Sequence, residues 1–295
     1  MTVTLFVQSI LAGLTNGFVY ALIGLGIAVI FRGTRIINAM QGDFALVGGV
    51  AAYLGLVRLG LPMLPAFLGG AVAGGLLGFV VERLLIRPVD KRGGNDDSYL
   101  LVTLGGAFAI SAAALLYFGR DSRPLDGIGG NGSIDVLDAA VRIHAVWLIV
   151  ISIAVVVGLK LFYSYTRLGQ AMLAASIDPD GASTIGINVA LMRTLTFVAG
   201  GLMGGLAGVL VAPLINVHYE MGLLLTLKGF AAAILGGLTS PFGAVLGGVT
   251  LGLIESLAVV SVSSGYKDVI AMVILILIMI VMPQGLLGRR GRSGG

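Results

Sequence analysis

Long apolar runs, interrupted by short polar or glycine-rich breaks, fill almost the whole chain. A helix crossing a bilayer needs about 20 predominantly apolar residues, whereas a buried core helix or re-entrant piece needs fewer. On that measure the pattern predicts helices over 5–31, 43–59, 62–82, 99–118, 145–163, 195–213, 222–238, 244–262 and 268–282. The segments 43–59 and 222–238 are short and glycine-interrupted, so each reads as a half-helix pair or a re-entrant element. About nine membrane helices follow, or eight to ten if a short segment turns back. The fold class is all-α and polytopic, with residues 1–295 forming one transmembrane domain.

Composition sharpens this reading. Of 295 residues, 57% are hydrophobic and 11% charged, against about 45–50% and about 25% in soluble domains. Eighteen basic and fourteen acidic side chains cannot cover a soluble protein of this size, so a soluble enzyme is excluded. Continuous apolar runs also exclude an outer-membrane barrel, whose strands alternate polar and apolar positions. The chain has no cysteine, which removes disulfides and thiolate metal sites; no metal or cofactor is expected. The first apolar run lacks a basic leader and is too long for a cleavable signal, so it reads as a retained span.

The net charge of +4 would suggest nucleic acid in a soluble protein, but here its distribution is what matters. With the N-terminus outside, twelve basic residues face inward, including Arg32, Arg35, Arg83, Arg87, Arg167 and the Arg289–Arg292 tail. Arg120, Arg123, Arg142 and Lys267 alone face outward. Retention of Lys and Arg on the cytoplasmic side therefore predicts N-out, C-in. The outward segments, chiefly the polar, glycine-rich loop of about 119–144, carry a net negative charge suited to a solvated connection or to an external partner.

The longest inward connection, about 164–194, has features that mere linkage does not require. Arg167, Gly169 and an alanine-rich helical run lead to Asp178-Pro179-Asp180. Asp178 suits an N-cap and Pro179 the first helical position, with Ala182 inside a short helix and Gly186 closing it before Asn188. So short a helix frays in water unless something holds it. Either the protein's own inner face or a cytoplasmic subunit is expected to do so. The sequence contains no GxxxxGK[ST] loop, so any ATPase that drives this protein is a separate chain.

Ionisable groups within spans are costly and call for partners. Lys228 is expected to pair with Glu255 or with Asp43. Asn16 and Tyr20, four apart, share a helix face, and Asn38 and Gln41, three apart, are expected to do the same. These side chains are the candidate lining of a pathway. Breaks at Asn38–Gly42 and Gly236–Gly243 interrupt apolar segments in the two halves, as discontinuous helices do in transporters. Stripes at Gly70, Gly74, Gly78 and at Gly200, Gly204, Gly208 predict close helix packing.

Together these residues resemble the permease subunits of branched-chain amino-acid ABC transporters. The likeness rests on Asn16-Gly17-Phe18-Val19-Tyr20-Ala21-Leu22, Ile37-Asn38-Ala39-Met40-Gln41-Gly42-Asp43, Glu82-Arg83 with Arg87-Pro88, and Gly169, Asp178, Ala182, Gly186-Ile187-Asn188. It continues through Leu227-Lys228-Gly229-Phe230, Gly236-Gly237, Gly243, Glu255 and Pro283-Gln284-Gly285-Leu286-Leu287-Gly288. Gln41 departs from the family, in which histidine is common near that position. The resemblance implies a heteromeric importer in a bacterial or archaeal cytoplasmic membrane. Its expected partners are two ATP-binding-cassette ATPases, a second permease and an external solute-binding protein, with an amino acid or amide as cargo and no nucleic acid.

An ion-coupled secondary transporter is the alternative, and would need an intramembrane carboxylate that titrates with transport. An intramembrane enzyme is the third reading. His144 and His218 are the only histidines; they lie far apart without ligand spacing, and no nucleophile motif accompanies them.

Overall fold

A computed structural model describes residues 3–130, 132–136, 139–261 and positions 269, 273, 276, 277, 280, 285 and 286. Most of the expected ninth helix, 268–282, most of the 283–288 motif and the basic tail at 289–292 lie outside the described residues.

The helix at the centre is α1, Val3–Thr34, whose most apolar stretch is 83% buried. A nearly unbroken apolar sequence gives it no single core face, which suits a helix enclosed on all sides. Next come α2, Gln41–Tyr53, continuing as a π-helical turn over Leu54–Arg58, and α3, Met63–Val81, continuing likewise over Glu82–Ile86 into α4, Arg87–Lys91. Helix α5 spans Asp96–Phe118 with Asn95 as its N-cap, and α6 spans Ile143–Tyr165. Helices α7, Arg167–Ile177, and α8, Pro179–Thr184, precede α9, Val189–Ile215. The last described helices are α10, Met221–Gly236, and α11, Pro241–Ser261.

Among the described residues, six helices have the length and apolar composition to cross a membrane: α1, α3, α5, α6, α9 and α11. Helix α2 does not. Even with the π-helical turn that continues it to Arg58, it extends only about 27 Å, and Gln41, Asp43 and Arg58 at its ends shorten its apolar part below the roughly 30 Å hydrocarbon core. Helix α10 is likewise the shorter apolar kind. Both short, glycine-interrupted segments therefore begin or end within the bundle.

Close backbone packing explains the glycines. Helix α9 presents two glycine faces. On one, Gly201 and Gly205 lie against Gly70 and Gly74 of α3, where an added Cβ at Gly74 would strike the Gly201 carbonyl. On the other, Gly200, Gly204 and Gly208 receive Ile30 of α1 and Phe44 and Ala45 of α2. Helix α1 meets α11 in the same manner through Gly13 and Gly17 facing Gly252. Such approach gains packing and polar contact where lipid supplies no hydrophobic drive between helices.

One element departs from the all-α expectation. Within the 119–144 connection, β1, Ser133–Val136, pairs antiparallel with β2, Ala139–Arg142. Arg123 and Val217 exchange backbone hydrogen bonds of 2.9 Å, tying this connection to the segment after α9. Strands of four residues each are too short for the sustained alternation that marks a strand in sequence.

Candidate functional site

The break before α2 and the start of α10 meet inside the bundle. Chain reversal after α1 occurs at Arg35, which has φ of 60°, and residues 35–38 then run without helical structure. Asn38 turns the chain into α2, its Oδ1 accepting the Met40 N–H at 3.1 Å. The Ala39 N–H donates to Thr103 Oγ1 on α5 at 3.2 Å, and the Gly42 N–H to Thr226 Oγ1 on α10 at 2.9 Å. Gln41 Nε2 donates to the carbonyl of Gly200, near the middle of α9, at 2.9 Å. Glycine is required at position 42, because a Cβ there would occupy the site of the Gly222 carbonyl.

Asn38, Gln41 and Asp43 are each no more than 1% exposed. Asn38 is not helical, so it and Gln41 do not share a helix face as their spacing suggested; the extended approach to α2 overrides that periodicity. Asp43 Oδ1 accepts from Ser111 Oγ at 3.3 Å. Among the described residues, Asn38 Nδ2, Gln41 Oε1 and Asp43 Oδ2 have no hydrogen-bond partner.

The other membrane-embedded candidates form a second group. Lys228 Nζ donates to Glu255 Oε1 at 2.8 Å, and sits 5.3 Å from the centroid of the Tyr20 ring. Of the two carboxylates expected as its partner, Glu255 takes the place and Asp43 stays with Ser111. Asn16, one turn from Tyr20 on α1, is half-buried.

The 164–194 connection folds against the end of the bundle from which α9 starts. Thr166 caps α7 by accepting from the Gly169 N–H at 3.0 Å, and Gly169 packs on the Phe162 carbonyl. Arg167 opens α7 with its side chain exposed. Asp178 caps α8 through the Gly181 N–H at 2.9 Å, with Pro179 at the first helical position. Gly186 follows with φ of 85°, a conformation that disfavours any Cβ. Asn188 then caps α9, accepting from the Leu191 N–H at 3.0 Å. Ala182 anchors α8 in a cluster with Met172, Ala175 and Met192. Its outward side leaves Asp178, Pro179 and Asp180 exposed between Ile177 and Ile185, which are 81% and 75% exposed.

Residues 9–280 match the family described as "Branched-chain amino acid transport system / permease component". The chain belongs to this family. The permease is 32% identical to the high-affinity branched-chain amino acid transport system permease protein BraD of Pseudomonas aeruginosa, the match covering 96% of each. It is 31% identical to LivH of Escherichia coli over the same shares. A solved structure described as PsaBC from Streptococcus pneumoniae in complex with Fab matches 96% of the permease and 94% of that chain. The TM-score is 0.51 and the identity 14%, a likeness of fold alone. With six long apolar helices among its described residues, the permease is a multi-pass membrane protein.

Two polar constructions in the permease escaped sequence reasoning. Arg193, in the first turns of α9, reaches Glu82 through Nε at 3.2 Å and Asp90 through Nη1 at 2.7 Å. Thr194 also donates to Glu82 at 2.9 Å, and the Tyr99 hydroxyl donates to Asp90 at 3.0 Å. The network fastens α3, α4, α5 and α9 together at the end that carries α8. At the opposite end, His144 Nδ1 accepts the Ile128 N–H at 3.1 Å, so Nε2 carries the proton and donates to the Leu210 carbonyl at 2.7 Å. No spacing rule links these residues. Only the carboxylate of Glu82 at the edge of an apolar run signals that a buried partner is needed.

Proposed function

We propose that this chain is the transmembrane permease subunit of an ATP-binding-cassette importer for branched-chain or related amino acids. It lies N-out and C-in in a bacterial or archaeal cytoplasmic membrane and works by alternating access. Two separate ATPase subunits drive it, an external solute-binding protein feeds it, and a second permease chain, identical or different, completes the pathway. No bond is made or broken by this chain.

The observation that carries the reading is α8. It is a capped helix held to the bundle by Ala182, with its acidic cap and two isoleucines turned outward. A six-residue helix is not stable alone, and an element built this firmly can transmit force from a partner to α7 and α9. Motion of α8 with the ATPases would rock α9 against α1, α2 and α3 and open the polar start of α2 to each side in turn. BraD and LivH are named as parts of high-affinity branched-chain amino acid transport systems, which supports this cargo class.

The ion-coupled alternative draws on Asp43, a membrane carboxylate oxygen without a partner among the described residues. It leaves the capped α8 without a role. A tagged pull-down from gently solubilised native membranes, followed by mass spectrometry, separates the two readings. Recovery of Walker-type ATPases and a second permease, lost on changing Asp178 and Gly186, supports the importer. Recovery of this chain alone, while folded, overturns it in favour of ion coupling.

A further inference from the structure

Between α5 and α10 lies a cavity of ≈ 430 Å³, within the size range of small-molecule sites. Leu104 and Phe108 of α5 face Leu223, Leu227 and Phe230 of α10 across it. Its polar groups converge at one place. Asp43, Ser111 and Thr226 line it beside the start of α2, and Tyr219 and Glu220 line it where α10 begins. A second groove of ≈ 510 Å³, between α3, α6, α7 and α9, is lined only by apolar residues and offers nothing to orient a polar solute.

Asp43 is 1% exposed, and its carboxylate is half used. Oδ1 receives the long Ser111 bond, whereas Oδ2 receives none from the described residues. Leaving a buried carboxylate oxygen without a donor is expensive, and more so within a membrane. Gly222, in the first turn of α10, packs directly on the carboxylate, and a helix start favours negative charge beside it. Among the described residues no basic side chain pairs with Asp43, so its free oxygen is open to a cationic donor supplied by a ligand.

We propose that this cavity is the solute site and that Asp43 receives the solute's α-ammonium group. The inference rests on the amino-acid importer reading and narrows it. The ligand is an aliphatic amino acid with a free ammonium, its side chain lying between the α5 and α10 walls. Glu220, exposed at the mouth and holding the Tyr219 hydroxyl at 2.8 Å, attracts the same group on entry. Neutral amides and desamino acids, which lack the ammonium, are poor cargo.

The test uses the complete transporter reconstituted in lipid vesicles, with radiolabelled leucine as cargo. A diazirine analogue of leucine, with its ammonium intact, serves as photoprobe. The probe is expected to label peptides carrying Leu104, Phe108, Leu223 or Leu227, displaced by leucine but not by 4-methylpentanoate. Asp43→Asn should lower leucine uptake about tenfold or more, as expected for loss of one charge-assisted contact. Ala107→Phe, which adds bulk to the cavity wall and leaves the Asp43 carboxylate in the sequence, should lower both labelling and uptake.

Labelling of the unaltered transporter needs no variant to fold, so it tests the site even if Asp43→Asn fails to assemble. Active leucine uptake with labelling confined to other helices overturns the site while leaving the importer reading intact. Equal labelling by a desamino diazirine probe assigns Asp43 to another cation and overturns the ammonium assignment. Absence of leucine uptake by the unaltered, ATPase-bearing transporter overturns the amino-acid reading itself.

Discussion

Lys228 on α10 and Glu255 on α11 are joined by a 2.8 Å ion pair in which the carboxylate is wholly withdrawn from solvent. Tyr20 of α1 adds its ring face to the ammonium, so three helices converge on one charge. Breaking a buried pair from one side costs about 3–5 kcal/mol, because the remaining charge stays buried. Lys228→Met should therefore sharply reduce folded protein in membranes. Arg58→Met, at the end of the π-helical turn after α2, should have little effect. Glu255→Gln added to Lys228→Met should recover much of the loss. Thermal unfolding in detergent measures all three, and equal, small effects would mean that Lys228 merely extends toward the membrane surface.

Asp178 and Gly186 bracket α8, one through its cap and the other through its positive φ. Replacing an Asp cap by Ala costs about 1 kcal/mol, and a Cβ in the left-handed conformation adds about 1–2 kcal/mol. Neither change touches the membrane helices. Asp178→Ala with Gly186→Ala should leave insertion intact while uptake falls and ATP hydrolysis by the partners continues without transport. The ratio of solute moved to ATP consumed is the quantity to measure. An unchanged ratio would remove the coupling role from this element.

The legible parts of this protein were those governed by local chemistry. Apolar run length fixed α1, α3, α5, α6, α9 and α11, because a bilayer imposes that length on any helix crossing it. The α8 caps were readable for the same reason: Asp178, Pro179 and Gly186 each act within a few residues. That Lys228 needs a carboxylate partner was readable, because a charge in apolar sequence demands its opposite, but the choice between Glu255 and Asp43 was not. Asn38 does not share a helix face with Gln41 because the chain there is held outside the helix, with the neighbouring Ala39 and Gly42 bonded to Thr103 and Thr226 on helices distant in sequence. The Arg193 network was invisible for a like reason, since Glu82, Asp90 and Arg193 meet only once the bundle forms, whereas the β1–β2 hairpin was missed because its strands are only four residues long.

His144 fixes the 119–144 connection to α9 by accepting from Ile128 and donating to Leu210. Its ring is 2% exposed, and Gly127 lies against it so closely that any side chain there would collide. His144→Ala removes both bonds and leaves the two backbone groups to find other partners, a loss of about 1–3 kcal/mol for a buried group left unsatisfied. Limited proteolysis should then cut within 119–142 faster than in the unaltered protein, with uptake less affected than loop protection. Unchanged cleavage would show that the Arg123–Val217 backbone pair suffices to hold the connection.

Arg193 is the member of its network that a conservative change should not rescue. Its Nε reaches Glu82 and its Nη1 reaches Asp90, two directions that one planar guanidinium satisfies at once and a lysine ammonium on a flexible stem does not. Glu82 is fully buried, so its loss of Arg193 is felt, whereas Asp90 is substantially exposed and its contact is screened by water. Arg193→Met should lower thermal stability by several degrees, leaving Thr194 as the donor that Glu82 retains from this network. Arg193→Lys should recover only part of that loss, and Glu82→Gln combined with Arg193→Met should recover more, because it removes the buried charge itself. Full rescue by lysine would mean that the network is simple charge pairing, with the fork geometry irrelevant to how α3 and α9 are held.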